Sequence, residues 1–403
     1  MALIVQKFGG SSVKDADRVR NVARIVTDTY KKGNQVVVVV SAQGDTTDDL
    51  IEKAREINPK ASKREMDMLL STGEQISISL LAMAIEAVGC PVISLTGWQA
   101  GFVCHTNYGN ARIRHIDPER LNAELDKNKI IIVAGFQGIN RFDDITTLGR
   151  GGSDTSAVAL AASLHADVCQ IYTDVDGVYT ADPRYVKGAI KLNEITYDEM
   201  LELASLGANV LHNRSVEMAK KYHVNMEVLS SLEDKPGTKV KEVAKMEKML
   251  IKGVAKDDDV ARISVIGVPD QPGIAYNLFN LLASKKIDVD IILQSIGRDG
   301  TKDISFTVPE NGLLIAMNVL QENQEMLQAK EINYNTEVAK VSIVGAGMQS
   351  TPGVAAKMFG ALYDANINIK MISTSEIKIS VLVEKDKAKL ACNAIHNAFF
   401  PDN

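Results

Sequence analysis

Residues 263–295 read ISVIGVPDQPGIAYNLFNLLASKKIDVDIILQS, and residues 341–375 read VSIVGAGMQSTPGVAAKMFGALYDANINIKMISTS. The second stretch repeats the first. Pro272-Gly273 matches Pro352-Gly353, Phe279 matches Phe359, Leu282 matches Leu362, Ile287 matches Ile367 and Ser295 matches Ser375. A third strand pattern then recurs as DISFTV (303–308) and KISVLV (378–383). Each copy predicts strand, Pro-Gly turn, helix, strand, strand, helix. Two copies of about 80 residues suit a pair of small α+β modules; a solenoid needs three or more. The first copy ends in a further strand pattern, INYNTEVA (332–339), which the second copy lacks, and an orphan pattern, MLIKGVA (249–255), precedes the first. The orphan is expected to complete the second module's sheet, closing an edge that would otherwise invite mispairing. The first module (260–339) is then inserted within the second (249–255 plus 341–403).

Outward from this repeat, residues 1–245 read differently. Short apolar runs alternate with helical stretches: Leu3–Val5, then helix Arg18–Lys31; the unbroken β-branched run Val36–Val40; a long helix Glu65–Val88; strands Val92–Leu95 and Ile130–Val133; an Ala-rich helix Ser153–His165; and strand Cys169–Thr173. Such alternation predicts βαβ units and a mostly parallel sheet flanked by helices. Ligands on such sheets sit beyond the carboxyl ends of the strands, so the loops after strands are where chemistry is expected.

The 403 residues carry 45 Lys+Arg against 51 Asp+Glu, a net charge of −6, with 45% apolar and 24% charged residues. This is ordinary globular usage with several independent cores, and global disorder is excluded. Mild acidity argues against a nucleic-acid or anionic-membrane surface, so any bound anion must meet local positive charge. The four cysteines (Cys90, Cys104, Cys169, Cys392) form no CxxC pair and suggest neither a disulfide framework nor a zinc site. The N-terminus has no basic segment before its short apolar run, and no run approaches the ~20 residues of a membrane span, so a cytoplasmic chain is expected.

Several loops hold candidate chemistry. Lys7-Phe8-Gly9-Gly10-Ser11-Ser12 offers a compact cation, glycines that let backbone N–H groups approach an oxyanion, and hydroxyl donors. It is neither a Walker A loop nor GxGxxG, and a two-glycine turn by itself also serves as a tight connection. Gly149-Arg150-Gly151-Gly152-Ser153-Asp154-Thr155 opens the Ala-rich helix. Asp154 there serves as a cap or as part of an anion-accepting terminus, and Arg150 can clamp a carboxylate. Ser41 and Thr47 flank Gly44 after the valine strand, and Glu74 lies in an otherwise apolar helix. Thr173 to Arg184 follows a strand and reads either as an elaborate turn or as one wall of a nucleotide pocket.

The series KFGGSS, VVSAQGDTTDDL, STGEQ, TLGRGGSDTSAVALAA and YTDVDGVYTADPR, in this order, resembles the aspartokinase family of the amino-acid kinase superfamily, and the trailing repeat is similar to its tandem ACT domains. The resemblance spans the chain. It implies ATP-dependent phosphorylation of the L-aspartate β-carboxylate to 4-phospho-L-aspartate, the first step toward lysine, threonine and methionine. Two other readings stand beside it: a kinase of another amino acid, and a non-catalytic amino-acid sensor. No room is expected for the homoserine dehydrogenase domain of bifunctional relatives.

By that resemblance Lys7 and Asp154 are catalytic. ATP is expected at Lys7, Phe8, Gly9, Gly10 and Ser11, with Thr173, Asp174, Tyr179, Asp182 and Arg184 along the nucleotide. Aspartate is expected at Ser41, Thr47, Glu74, Arg150, Gly151, Gly152 and Ser153. Mg²⁺ would be held by phosphate oxygens and water, with no protein metal site. A lysine or threonine effector, or both, is expected at Asp270, Gly273, Ile274, Asp288, Val289, Asp290 and Gln294, and at the matching Gly353, Val354, Ala355, Asn368, Ile369, Ser375 and Glu376. A homodimer or larger assembly through the ACT modules is implied, with a shorter ACT-only subunit as a possible partner.

Overall fold

The computed structural model describes residues 1–206, 210–242, 250–295, 300–348 and 351–401. The chain forms two compact units, one of Met1–Val178, Lys191–Ala204 and Asn209–Lys245, the other of Tyr179–Ile190, Ser205–Ala208 and Met246–Asn403.

The strands of the first unit are β1 Leu3–Phe8, β2 Gln35–Val40, β3 Val92–Leu95, β4 Phe102–Cys104, β5 Ile113–Ile116, β6 Ile130–Ala134, β7 Gln137–Ile139, β8 Ile145–Thr147, β9 Val168–Thr173, β10 Glu194–Thr196, β11 Met226–Ser230 and β12 Thr238–Lys241. Its helices are α1 Ala16–Lys31, α2 Thr46–Ile57, α3 Lys63–Leu70, α4 Thr72–Glu86, α5 Glu119–Leu125, α6 Gly152–Ser163, α7 Tyr197–Ser205 (whose last residue belongs to the second unit) and α8 Asn213–Tyr222. Eight strands make one sheet in the order β10-β12-β11-β9-β1-β2-β6-β3, parallel except at β11/β12. Val36 to Val40 are wholly buried. Helices cover both faces of this strand, which is why it reads as unbroken valine and not as alternation. Val22, Val26, Ile78, Leu81 and Ile85 of α1 and α4 pack on one face, and α6 lies against β1, β2 and β9. A small second sheet, β5-β4-β7-β8, stands apart.

Two local expectations shift. The predicted long helix is divided at Ser71 into α3 and α4, where the Ser71 hydroxyl donates back to the Met68 carbonyl at 2.9 Å. The run Lys63–Glu86 is long and apolar enough to cross a membrane by length and composition, yet it packs on α1, β3, β6 and β8 and buries Asp67 and Glu74. The first strand also runs further than Leu3–Val5 and carries Lys7 and Phe8 within it.

The second unit holds β13 Gly253–Asp257, β14 Ala261–Pro269, α9 Ile274–Ser284, β15 Ile292–Gln294, β16 Thr301–Val308, α10 Glu310–Glu322, α11 Gln324–Leu327, β17 Glu331–Asn335, β18 Val338–Val344, α12 Val354–Asp364, β19 Met371–Thr374, β20 Lys378–Glu384 and α13 Ala388–Phe399. Its two antiparallel sheets run β15-β16-β14-β17 and β13-β18-β20-β19. The orphan strand therefore edges the second copy's sheet, with Val254 opposite Ile343, and the first copy is inserted in the second; of the stretch 249–255, position 249 lies outside the described residues. The repeat persists in backbone detail. Gly273 and Gly353 cap α9 and α12 in the left-handed region, at φ +97° and +91°, where a side chain would be strained.

One segment departs from the 1–245 boundary. Tyr179–Ile190 belongs to the second unit, where Ala181 and Val186 share a core with Ile251, Val254, Cys392 and Ile395. The Thr180 carbonyl accepts from Val254 N–H at 2.7 Å, and Asn393 Nδ2 donates to the Tyr185 carbonyl at 2.9 Å.

Candidate active site

The carboxyl ends of β1 and β2 open onto a cleft of about 660 Å³ within the first unit. Its construction begins with close backbone approach. The chain leaves β1 through Gly9 into a single 3₁₀ turn, Gly10–Ser12. A Cβ on Gly10 would lie 2.7 Å from the Ala42 carbonyl oxygen, and one on Gly73 would lie 2.8 Å from Ala42 Cβ. The loop after β2 is thus wedged between two glycines, and Gly44 N–H donates to the Gly10 carbonyl at 3.1 Å. Ser41 of this loop and Thr47 in the first turn of α2 line the cleft together with Gly9 and Gly10.

Lys7 projects from β1 into the same cleft and pairs with Asp154 of α6 at 2.7 Å, both side chains 13% exposed. Gly151, at φ +67°, caps α6, and Gly151, Gly152 and Ser153 face the cleft with Arg150, which sits exposed at its lip. A helix N-terminus, a lysine and an arginine on one space can receive an anion, with Asp154 offsetting part of the lysine's charge.

Glu74 supplies the opposite charge. It is 3% exposed, its Oε1 accepts from Ala42 N–H at 3.1 Å, and its Oε2 has no hydrogen-bond partner among the described residues. Burial pushes its carboxyl up to about 7, partly offset by its backbone hydrogen bonds. An unsatisfied carboxylate oxygen this deep is costly unless a donor arrives with the ligand.

Some expected residues stand elsewhere. Phe8 is wholly buried, its ring stacked on Tyr172 at 4.5 Å between centroids, and Ser11 is exposed outside the cleft lining. Thr173 and Asp174 follow β9, with the Thr173 hydroxyl donating to Asp174 Oδ1 at 3.0 Å. Tyr179, Asp182 and Arg184 lie in the second unit, where Arg184 grips Asp182 through Nε and Nη2, the latter at 2.6 Å.

Of the effector positions, Gly353, Val354, Ala355, Ser375 and Glu376 line one cavity of about 700 Å³, without Asn368 or Ile369. Asp288, Val289 and Asp290 line another of about 270 Å³, where buried Lys340 holds Asp290 at 2.5 Å and Asp257 at 3.3 Å. Asp270, Gly273, Ile274 and Gln294 do not join them: Asp270 pairs with Lys302 at 3.1 Å, Ile274 is buried, and Gln294 sits exposed on β15.

The cleft also gathers residues the sequence reading passed over, among them Lys63, Asp67, Asn110 and Phe136. Asp67 is fully buried and accepts from Gly109 N–H (2.9 Å), Thr147 N–H (3.0 Å) and the Thr147 hydroxyl (2.7 Å), fixing the Gly109 turn and the end of β8 to α3. Its spacing of seven from Glu74, which would put both on one face of the expected continuous helix, was the available signal.

The amino acid kinase family model matches residues 2–230, and an ACT domain model matches residues 263–324 and 341–399. An aspartokinase of Bacillus sp. (strain MGA3) is 53% identical over 400 residues, covering 99% of this chain and 97% of the relative. The chain belongs to the aspartokinase family. Aspartokinase 2 of Bacillus subtilis is 51% identical over 99% of this chain and 98% of its own length. The structure of E. coli aspartokinase III in complex with aspartate and ADP matches with TM-score 0.84 and 25% identity, covering 99% of this chain and all of that one. The same enzyme in complex with lysine and aspartate matches with TM-score 0.77. The chain is accordingly a kinase that phosphorylates aspartate.

Proposed function

We propose that the cleft carries out ATP + L-aspartate → 4-phospho-L-aspartate + ADP with the residues that line it. The observation that carries this reading is the charge pattern of one 660 Å³ space: Lys7, Arg150 and a helix terminus on its rim, and the unpartnered Glu74 oxygen beneath. That pattern fits a ligand with two carboxylates and an ammonium beside a polyphosphate.

The nucleophile is the aspartate β-carboxylate, with a reference pKa of about 3.9, so it is already ionised at neutral pH and needs no general base. One of its oxygens bonds to the γ-phosphorus as the bond to the bridging oxygen of ADP breaks; no proton moves. The obstacle is repulsion between two anions, and catalysis consists of positioning and charge neutralisation. Lys7 meets the transferring phosphoryl group, and the backbone of Gly9 and Gly10 cradles it. Asp154, already holding Lys7 at 2.7 Å, aims that ammonium. Arg150 clamps the α-carboxylate and Glu74 receives the α-ammonium. Thr173 and Asp174, at the carboxyl end of β9, serve the nucleotide. Mg²⁺ bound with the nucleotide would be held mainly by phosphate oxygens and water and would offset the phosphate charge.

Lysine, threonine or both bind the ACT modules, with the cavity at Gly353–Ala355 and Ser375–Glu376 gathering more of the expected residues than the one at Asp288–Asp290. The modules also join copies of the chain. The edge strands β15 and β19 expose Ile292 (50%), Leu293 (38%) and Ile372 (38%), a pairing surface that a lone subunit would leave open. The reaction places the chain at the head of lysine, threonine and methionine synthesis.

Trapping the acyl phosphate with hydroxylamine, in the presence of ATP and a panel of amino acids, tests the reaction. Hydroxamate should form with aspartate and not with glutamate; turnover of another acid in preference would overturn the substrate assignment. Titration with lysine and threonine, singly and together, tests regulation, and no response to either would reduce the modules to an assembly device.

A further inference from the structure

The turn that bears Arg150 consists largely of glycine, the residue least able to hold its own conformation. Gly149 and Gly151 flank Arg150 at φ +78° and +67°. Something outside the turn must fix where the guanidinium points, and one side chain reaches the base of the turn. Arg214, in the first turn of α8, donates from Nη1 to the Leu148 carbonyl at 2.8 Å and from Nη2 to the Ala111 carbonyl at 2.9 Å. These two segments already touch through Ala111 N–H and the Thr147 carbonyl at 2.8 Å. Asp67 takes the N–H groups on their other side, at Gly109 and Thr147.

The pair of segments is therefore bracketed, its donors held by a buried carboxylate and its carbonyls by a guanidinium fork. Among the described residues Arg214 has no ion-pair partner, and burial followed by the charge of Arg112 lowers its pKa. A half-buried arginine without a carboxylate is an expensive way merely to join two loops. Its neighbour His212 closes the back of the turn: a Cβ on Gly151 would lie 2.1 Å from His212 Cγ.

We infer that Arg214 is a positioning residue for aspartate recognition, clamping the Leu148 and Ala111 carbonyls so that the Gly149–Gly151 turn presents Arg150 in its binding orientation. It touches no substrate and acts through Arg150; the inference thus rests on Arg150 being the carboxylate clamp. A lysine at 214 would keep the charge but lose the rigid two-pronged fork.

The test is steady-state kinetics on the full chain for Arg214→Gln, Arg214→Lys, Arg150→Ala and the double variant Arg150→Ala/Arg214→Gln. Arg214→Gln should raise the aspartate KM about tenfold or more while the ATP KM stays within about twofold. Arg214→Lys should recover less than half of that loss on a logarithmic scale, and added guanidinium ion should lower the aspartate KM of Arg214→Gln. The double variant should be no worse than Arg150→Ala, since both changes remove one device. An unchanged aspartate KM in Arg214→Gln overturns the inference, as does a parallel rise in both KM values with a lowered melting temperature. Multiplicative losses in the double variant, or full activity in Arg214→Lys, also overturn it. If Arg150→Ala alone leaves the aspartate KM unchanged, the assignment of Arg150 fails first and takes this inference with it.

Discussion

Glu74 couples the chemistry of the cleft to pH. Its carboxyl stands at about 7 in the folded chain against 4.5 unperturbed, because burial disfavours the charged form. The folded state then holds a proton that the unfolded state has released between those two values. Stability of the unliganded chain should fall as pH rises from 4.5 to 7, by about 3 kcal/mol from this group alone. Urea midpoints at pH 5 and pH 8 measure it, and Glu74→Gln should flatten the difference. Aspartate binding runs the other way, since the ammonium needs the ionised carboxylate. The aspartate KM should fall as pH rises through about 7 and then level, and Glu74→Gln should raise it about tenfold and remove the pH dependence. A profile in Glu74→Gln that still bends there would assign the titration to another group. Lys7 gives a different signature. Lys7→Ala should lower kcat by at least ~10² without unfolding the chain, and near-normal single-turnover rates would remove Lys7 from the reaction.

The elements explain why some of this was readable and some was not. The glycines of KFGGSS and GRGGSD mark turns by their chemistry, so both loops were legible, and the structure sets both on one cleft. The repeat was legible because two copies of one pattern test each other, down to the left-handed glycines. Asp67, Arg214 and His212 were not: their partners lie 80, 66 and 61 positions away in sequence, and periodicity reports which face a residue occupies, not which distant carbonyl meets it. The division of the long helix at Ser71 was hidden because its apolar pattern continues past the break. Gly151 offers a sharp test at this scale. Gly151→Ala must place a methyl group against the His212 ring and hold φ at +67°. It should cost at least about 1 kcal/mol of stability and weaken aspartate binding more than ATP binding. Thermal melts paired with both KM values decide it, and an alanine variant indistinguishable from the parent would show that the ring gives way freely.

Across the whole molecule, the two units have separate cores, and each is expected to unfold in its own transition. Val254 sits at 2% exposure in the second unit, pairs with Ile343 and donates its N–H to the Thr180 carbonyl. Val254→Pro removes that donor and should destabilise the second unit by roughly 3 kcal/mol. Scanning calorimetry should then show one transition lowered, and another that ATP and aspartate still raise. A single transition shifting as a block would mean that the cores melt together.

The stretch Tyr179–Ile190 has a consequence for anyone recombining such chains. Ala181 and Val186 fill the interior of the second unit, although the residues on either side of the stretch belong to the first. One protease nick between residues 242 and 250 would therefore leave the carboxyl-terminal fragment with holes where those side chains had been. Hybrids spliced at that junction would inherit mismatched interiors unless residues 179–190 were exchanged along with the tail.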